Sequence, residues 1–279
     1  MNKMIAGGCS FTGDYTCAIP NVDNKFDRWP SIVGKNLSLE VVNLGEQGIS
    51  NHTIAHRVIS YLSKWHKNIE QVFILWTDWN RLDFLYNQGR YTSTAMIKLN
   101  EQRKSYRDDK VYFFYEEVTS KYKALRNMLY DYHNPVRSNS KFAKLQIKPK
   151  DVVMYNLMPY KNVELACKAY NIKYKFLQGL NIHNIAYIDC SDQKFFCYSD
   201  GSNFDNNYER FEKEVDETIL MNDLNFDKSN FIKGFPLVSG DAINNFIDKK
   251  HLYMHKDDRH PNEQGHKYIA DIFTNETKN

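Results

Sequence analysis

Two short blocks of this 279-residue chain hold side chains that could do covalent chemistry together. The first is Gly7-Gly8-Cys9-Ser10-Phe11-Thr12, where the apolar run Met4-Ile5-Ala6 enters glycines and then meets a serine. The second is Asp257-Asp258-Arg259-His260-Pro261-Asn262, close to the other end. A serine hydroxyl is a weak nucleophile until a histidine takes its proton, and the histidine works best when a carboxylate holds its second ring nitrogen. Asp257, three residues before His260 on a loop, is placed to be that carboxylate. Each block alone is ordinary, since a serine after glycines is commonly a turn or helix cap. A third block, Asn43-Leu44-Gly45-Glu46-Gln47-Gly48-Ile49-Ser50-Asn51, has glycines that let a backbone approach a substrate. His251, His255, Asp257 and His260 could instead gather a metal ion, but the serine reading uses two of them more economically, and no metal is expected. Neither GxGxxG nor GxxxxGK[ST] occurs, so no nucleotide cofactor is expected either.

The elements around these blocks follow from the hydrophobic pattern. Met4 to Gly8 reads as a strand, and Trp29 to Leu39 as a helix with Pro30 in its first turn. Glu40 to Leu44 reads as a second strand, and Ser50 to His66 as an amphipathic helix with Ile54, Val58, Ile59 and Leu62 on one face. Val72 to Trp76 is a continuous apolar run, the pattern of a strand buried on both faces of a parallel sheet. This alternation predicts an α/β fold with helices on both faces of the sheet. In such a sheet ligands bind beyond the carboxyl ends of the strands, which is where Ser10 falls. A helix following Ser10 would point backbone N–H groups at a developing oxyanion.

The rhythm breaks between about residues 90 and 160. Residues 101–150 carry twelve Lys or Arg against six Asp or Glu, a local charge of +6. A helix is predicted over Val111 to Tyr132, ended by Asn134-Pro135. The segment reads as a mainly helical, basic insertion in a single domain spanning residues 1–279. Its aromatic run Tyr112-Phe113-Phe114-Tyr115 could hold nucleic acid or an anionic glycan, but a core helix with solvated lysines accounts for it more simply. Alternation resumes with a helix over Asn162 to Tyr170, a strand over Ile172 to Leu177, and a last helix over Glu263 to Phe273. Ser191 to Asn230 is polar and acidic, with a helix near Tyr208 to Asn222.

A net charge of +3 is too small to argue for nucleic acid as a partner. Cys9, Cys17, Cys167, Cys190 and Cys197 are odd in number and lack CxxC spacing, which suits free thiols in a reducing compartment. The apolar run at the N-terminus is too short for a signal-peptide core, and no 18-residue apolar stretch occurs, so no membrane association is expected. The expected location is cytoplasmic or virion-associated, because delivery in a virus particle leaves no targeting mark.

In this order on an α/β chain, the blocks resemble those of the SGNH hydrolases, also called GDSL esterases and lipases. The forms Gly-Cys-Ser-Phe-Thr, Gly-x-Ser-Asn and Trp-Thr-x-x-x-Arg look like a variant branch found in tailed phages and environmental bacteria. The resemblance covers roughly residues 1–86 and 160–275. It implies a three-layer α/β/α sandwich with a parallel sheet of about five strands in flavodoxin-like order. It also implies Ser10 as nucleophile, Gly48 as a backbone oxyanion donor, and Asp257 and His260 as acid and base. The implied substrate is a small-molecule or glycan ester, such as an O-acetylated sugar, with virion or homo-oligomer contacts as further partners. Cys9 replaces the family's Asp beside the nucleophile. After VFILW comes Thr77-Asp78-Trp79-Asn80-Arg81, so Asp78 stands where the family's oxyanion-hole Asn is expected, and an ionised Asp cannot donate a hydrogen bond. Asn51, Asn80 or Arg81 could supply that donor. Alternatively Asp78 pairs with Arg81, and the chain is a weakened hydrolase or a structural or glycan-binding module.

Overall fold

The computed structural model describes residues 2–17, 19–77, 79, 82–86, 89–93, 149–180, 217, 224–232 and 242–278. Its centre is a parallel sheet of β1 (Lys3–Gly8), β2 (Glu40–Asn43), β3 (Ile69–Trp76) and β6 (Lys173–Gln178), in the order β2-β1-β3-β6. The strands are joined through α1 (Trp29–Leu37), α2 (Asn51–Trp65) and α3 (Pro149–Ala169). The order is the flavodoxin-like one. Four strands stand among the described residues rather than about five. Where a fifth would lie, Phe231 makes a single parallel bridge to Phe176, and Ile232 N–H donates to Phe176 O at 2.8 Å.

Successive side chains of β3 point to opposite faces, and they show the layers directly. Phe73 meets Phe273 of α5 (Glu263–Lys278) at 5.1 Å between ring centroids, and Phe273 stacks on Trp29 of α1 at 4.7 Å. Trp76, on the other face, stacks on Tyr160 of α3 at 4.2 Å. Gly7 of β1 lets α2 approach on that second face, because a Cβ there would sit 3.0 Å from Val58 Cγ2. The pairs α1/α5 and α2/α3 therefore cover opposite sides of the sheet. Val72 to Trp76 is buried, as a strand covered on both faces must be.

Two antiparallel hairpins stand outside the sheet. One joins β4 (Leu82–Tyr86) to β5 (Gly89–Ser93), and the other joins β7 (Tyr253–His255) to β8 (Asp258–Pro261). A short helix, α4 (Ile243–Lys249), precedes the second. The segment expected to be an insertion thus opens on the last strand of a hairpin. Its other end is the first half of α3, which begins thirteen residues ahead of the predicted Asn162 and runs through Pro159. The expected helix over Val111 to Tyr132 and most of the acidic segment lie outside the described residues. Among the described residues no helix is long and apolar enough to cross a membrane.

Candidate active site

Ser10 lies two residues past the end of β1, at the carboxyl edge of the sheet. No helix begins there. The chain turns at once, with Thr12 N–H and Gly13 N–H both donating to Cys9 O at 2.9 and 3.0 Å. The expected helix after the serine is replaced by this tight turn, and α1 starts only at Trp29. Gly8 makes the turn possible, since a Cβ on it would lie 2.0 Å from Thr12 Oγ1. The loop after β2 is strapped against the same turn. Glu46 N–H donates to Gly8 O at 3.2 Å, and Asn43 Nδ2 donates to Thr12 O at 2.9 Å. Gly45 lies so close that a Cβ would be 2.5 Å from Gly13 N and 2.7 Å from the Thr12 carbonyl carbon. Gly45→Ala should therefore force backbone from backbone and cost about 2 kcal/mol of stability. Urea unfolding that left the midpoint unchanged would show that the two loops have room to part.

His260 reaches this turn from β8. Its Nε2 lies 2.8 Å from Ser10 Oγ, and its Nδ1 lies 2.6 Å from Asp258 Oδ1. An ionised carboxylate only accepts, so Nδ1 carries the proton and Nε2 is left to accept from the serine hydroxyl. The carboxylate on the histidine is Asp258, not Asp257. The reason is strand geometry. Asp258, Arg259 and His260 belong to one extended strand, so Asp258 and His260 share a face while Arg259 points away. Asp257 sits in the turn between β7 and β8 with its side chain 53% exposed and its Oδ2 3.5 Å from His255 Nδ1.

Asp258 accepts three hydrogen bonds. Oδ1 accepts from His260 Nδ1 and from His260 N–H at 3.1 Å, and Oδ2 accepts from Tyr15 OH at 2.8 Å. Burial is the largest single influence and opposes ionisation. The hydrogen bonds and charge of His260, with the Cys17 thiol, outweigh it and hold the carboxyl well below its ordinary range. Tyr15 also lies flat on the imidazole, with ring centroids 3.6 Å apart and planes 14° apart, and Phe11 meets the ring edge-on at 5.5 Å. Tyr15 and Cys17 carry no local sequence signal, since they sit in a loop about 240 residues from their partner.

Behind Tyr15 is a buried basic pair. Arg28 Nη2 donates to Tyr15 O, and Arg28 Nη1 lies 3.3 Å from Nε2 of His266, on α5. Trp29 N–H, at the start of α1, donates to His266 Nδ1 at 3.3 Å. A neutral imidazole has one acceptor nitrogen, so one of these two contacts is a hydrogen bond in either tautomer, and an imidazolium would have neither. His266 is 2% exposed, and burial, with Arg28 beside it, pushes its pKa down to about 3.

The remaining predicted residues fall at the same sheet edge or outside the described residues. Gly48 has φ +77°, a conformation that favours glycine, and lies two residues before the Ser50 cap of α2. Asn51 is buried, and its amide grips the backbone of Thr77 in both directions. Thr77 N–H donates to Oδ1 at 2.9 Å, and Nδ2 donates to Thr77 O at 3.2 Å. Thr77 O also accepts from Gln178 Nε2 at 2.8 Å, so Asn51 and Gln178 together brace the end of β3. Asp78, Asn80 and Arg81 lie outside the described residues. Of the metal alternative, His260 is engaged by Ser10 and Asp258, and His251 Nδ1 faces Tyr253 OH at 2.9 Å. Among the described residues no three His, Cys, Asp or Glu side chains gather as a metal would need.

No family model matches this chain, and no curated protein matches it. Among solved structures, it is similar to a putative lipolytic protein of the G-D-S-L family from Desulfitobacterium hafniense DCB-2, at 10% identity, 99% of each chain and a TM-score of 0.40. It is also similar to an acetylxylan esterase from Geobacillus stearothermophilus, at 11% identity, 99% of this chain and 93% of that one, and a TM-score of 0.39. A G-D-S-L family protein from Veillonella parvula DSM 2008 aligns at 12% identity over 98% and 96%, with a TM-score of 0.37. At such identities the reading of the site rests on its own geometry.

Proposed function

We propose that this chain is a serine hydrolase of the SGNH type that cleaves an ester. The observation that carries the reading is the unbroken run from Ser10 Oγ to His260 Nε2 at 2.8 Å and from His260 Nδ1 to Asp258 Oδ1 at 2.6 Å. Ser10 Oγ attacks the ester carbonyl as His260 Nε2 takes its proton. The tetrahedral adduct collapses, His260 returns the proton to the leaving alcohol, and an acyl group remains on Ser10. Water, deprotonated by the same nitrogen, then releases the acid and restores the serine. Asp258 keeps the imidazole in the required tautomer and stabilises its cationic form.

The backbone N–H groups of Ser10 and Gly48 are the proposed oxyanion donors. The straps from Glu46 and Asn43 to the serine turn support this, because they hold the two loops together. An O-acetyl group on a carbohydrate is the substrate the motif resemblance implies.

An alkyl fluorophosphonate tests the reading, because it phosphonylates only an activated serine. One label per chain, mapped to Ser10 and lost in Ser10→Ala, is expected. An unlabelled wild-type chain would make the fold a non-enzymatic module.

A further inference from the structure

We infer that Tyr15 is a positioning residue for the acid–base pair, lying flat on the His260 ring while its hydroxyl holds the far oxygen of Asp258. The inference rests on the hydrolase reading, and it concerns a residue that no sequence motif marks.

The geometry of the pair shows why such a residue is needed. Asp258 and His260 lie two apart on a four-residue strand of a two-stranded hairpin, where Asp258 is buried but the His260 side chain is 24% exposed and needs a neighbour to hold its orientation. The imidazole is useful only in the orientation that points Nδ1 at Asp258 and Nε2 at Ser10, and turning about its Cβ–Cγ bond breaks both contacts. Tyr15 blocks that rotation on one face, at 3.6 Å between centroids, while Phe11 meets the ring at 63°.

The carboxylate has a parallel problem. Both contacts to His260 fall on Oδ1, which leaves Oδ2 free to swing unless another group takes it. Tyr15 OH takes it at 2.8 Å. One side chain therefore restrains both partners. Tyr15 is itself fixed at its backbone, where its N–H donates to Gly13 O at 2.9 Å and its carbonyl accepts from buried Arg28. Gly13 belongs to the serine turn, so the clamp on His260 and Asp258 is built from the same loop that carries the nucleophile.

Tyr15→Phe removes the hydroxyl and keeps the stack, whereas Tyr15→Leu removes both. Because Tyr15 acts on the pair rather than on substrate, kcat for p-nitrophenyl acetate should fall about tenfold in Tyr15→Phe, the worth of one hydrogen bond to a charged acceptor, with KM nearly unchanged. Tyr15→Leu should fall further. The downfield proton NMR resonance of the His260 Nδ1–Asp258 hydrogen bond should move in Tyr15→Phe, and that readout needs no turnover. An unmoved resonance with unchanged kcat would overturn the inference. A lowered melting temperature with the resonance unmoved would overturn it too, leaving Tyr15 as packing. A resonance moved by Tyr15→Phe, with a wild type that shows no Ser10-dependent turnover, would sustain the clamp and sink the hydrolase reading instead.

Discussion

Asp258→Asn should lower kcat/KM for p-nitrophenyl acetate on the order of 10⁴-fold, while Asp257→Asn should leave it within about twofold. The two residues are neighbours in sequence, so the contrast is sharp. Asparagine at 258 can turn its NH2 toward Nδ1, which forces the proton onto Nε2 and leaves no acceptor for the serine hydroxyl. It also removes the charge that stabilises the imidazolium formed during attack. Asp257 can do neither, because its carboxylate faces solvent and His255. Steady-state rates of the two variants decide the matter, and equal losses would mean that the hairpin as a whole matters rather than one carboxylate. Asp258 also links the site to acid stability. Its folded pKa lies below the ordinary value of 3.8, so its contribution is present above that value and lost as pH falls toward the lower folded one.

The second large effect concerns His266. The native ring stays neutral down to about 3, while an unfolded ring protonates near 6.5. Between those values the unfolded chain binds the additional proton, so stability falls as pH falls. The loss is about 1.4 kcal/mol per pH unit and approaches 5 kcal/mol at the lower end. His266→Gln keeps an acceptor for Trp29 N–H but does not titrate. Urea unfolding of both proteins across this range should show the wild type's advantage shrinking steadily with acidity, with carboxylate effects common to both cancelling. A constant difference would mean that the native ring protonates freely.

Much of this arrangement was legible in the sequence because it rests on local pattern. The run Val72 to Trp76 announces a central strand, and the early strand–helix rhythm announces the layers. The blocks around Ser10 and His260 stand out in the sequence, and His260 Nε2 lies 2.8 Å from Ser10 Oγ. Choosing between Asp257 and Asp258 needed the register of a hairpin, although the alternation Asp258, Arg259, His260 was a usable hint. Tyr15 and Cys17 could not be found, because a loop residue that meets a partner across the whole chain leaves no periodicity. The hairpin of β4 and β5 leaves only a short alternation, Leu82, Phe84 and Tyr86, in the sequence. Asn51, expected as a possible oxyanion donor, has its amide on the Thr77 backbone instead.

The contact between Ser10 and His260 spans 250 positions, while Asp258 and His260 are two apart. Asp258 and His260 can therefore pair as soon as one hairpin closes, but Ser10 must wait for almost the whole chain. At roughly 5–20 residues per second of synthesis, that wait is tens of seconds. Loop closure over such a distance is among the costliest entropic steps in folding this domain. On the proposed function, hydrolytic competence would then be among the last properties the polypeptide acquires, and a partly made chain would hold a serine with nothing to activate it.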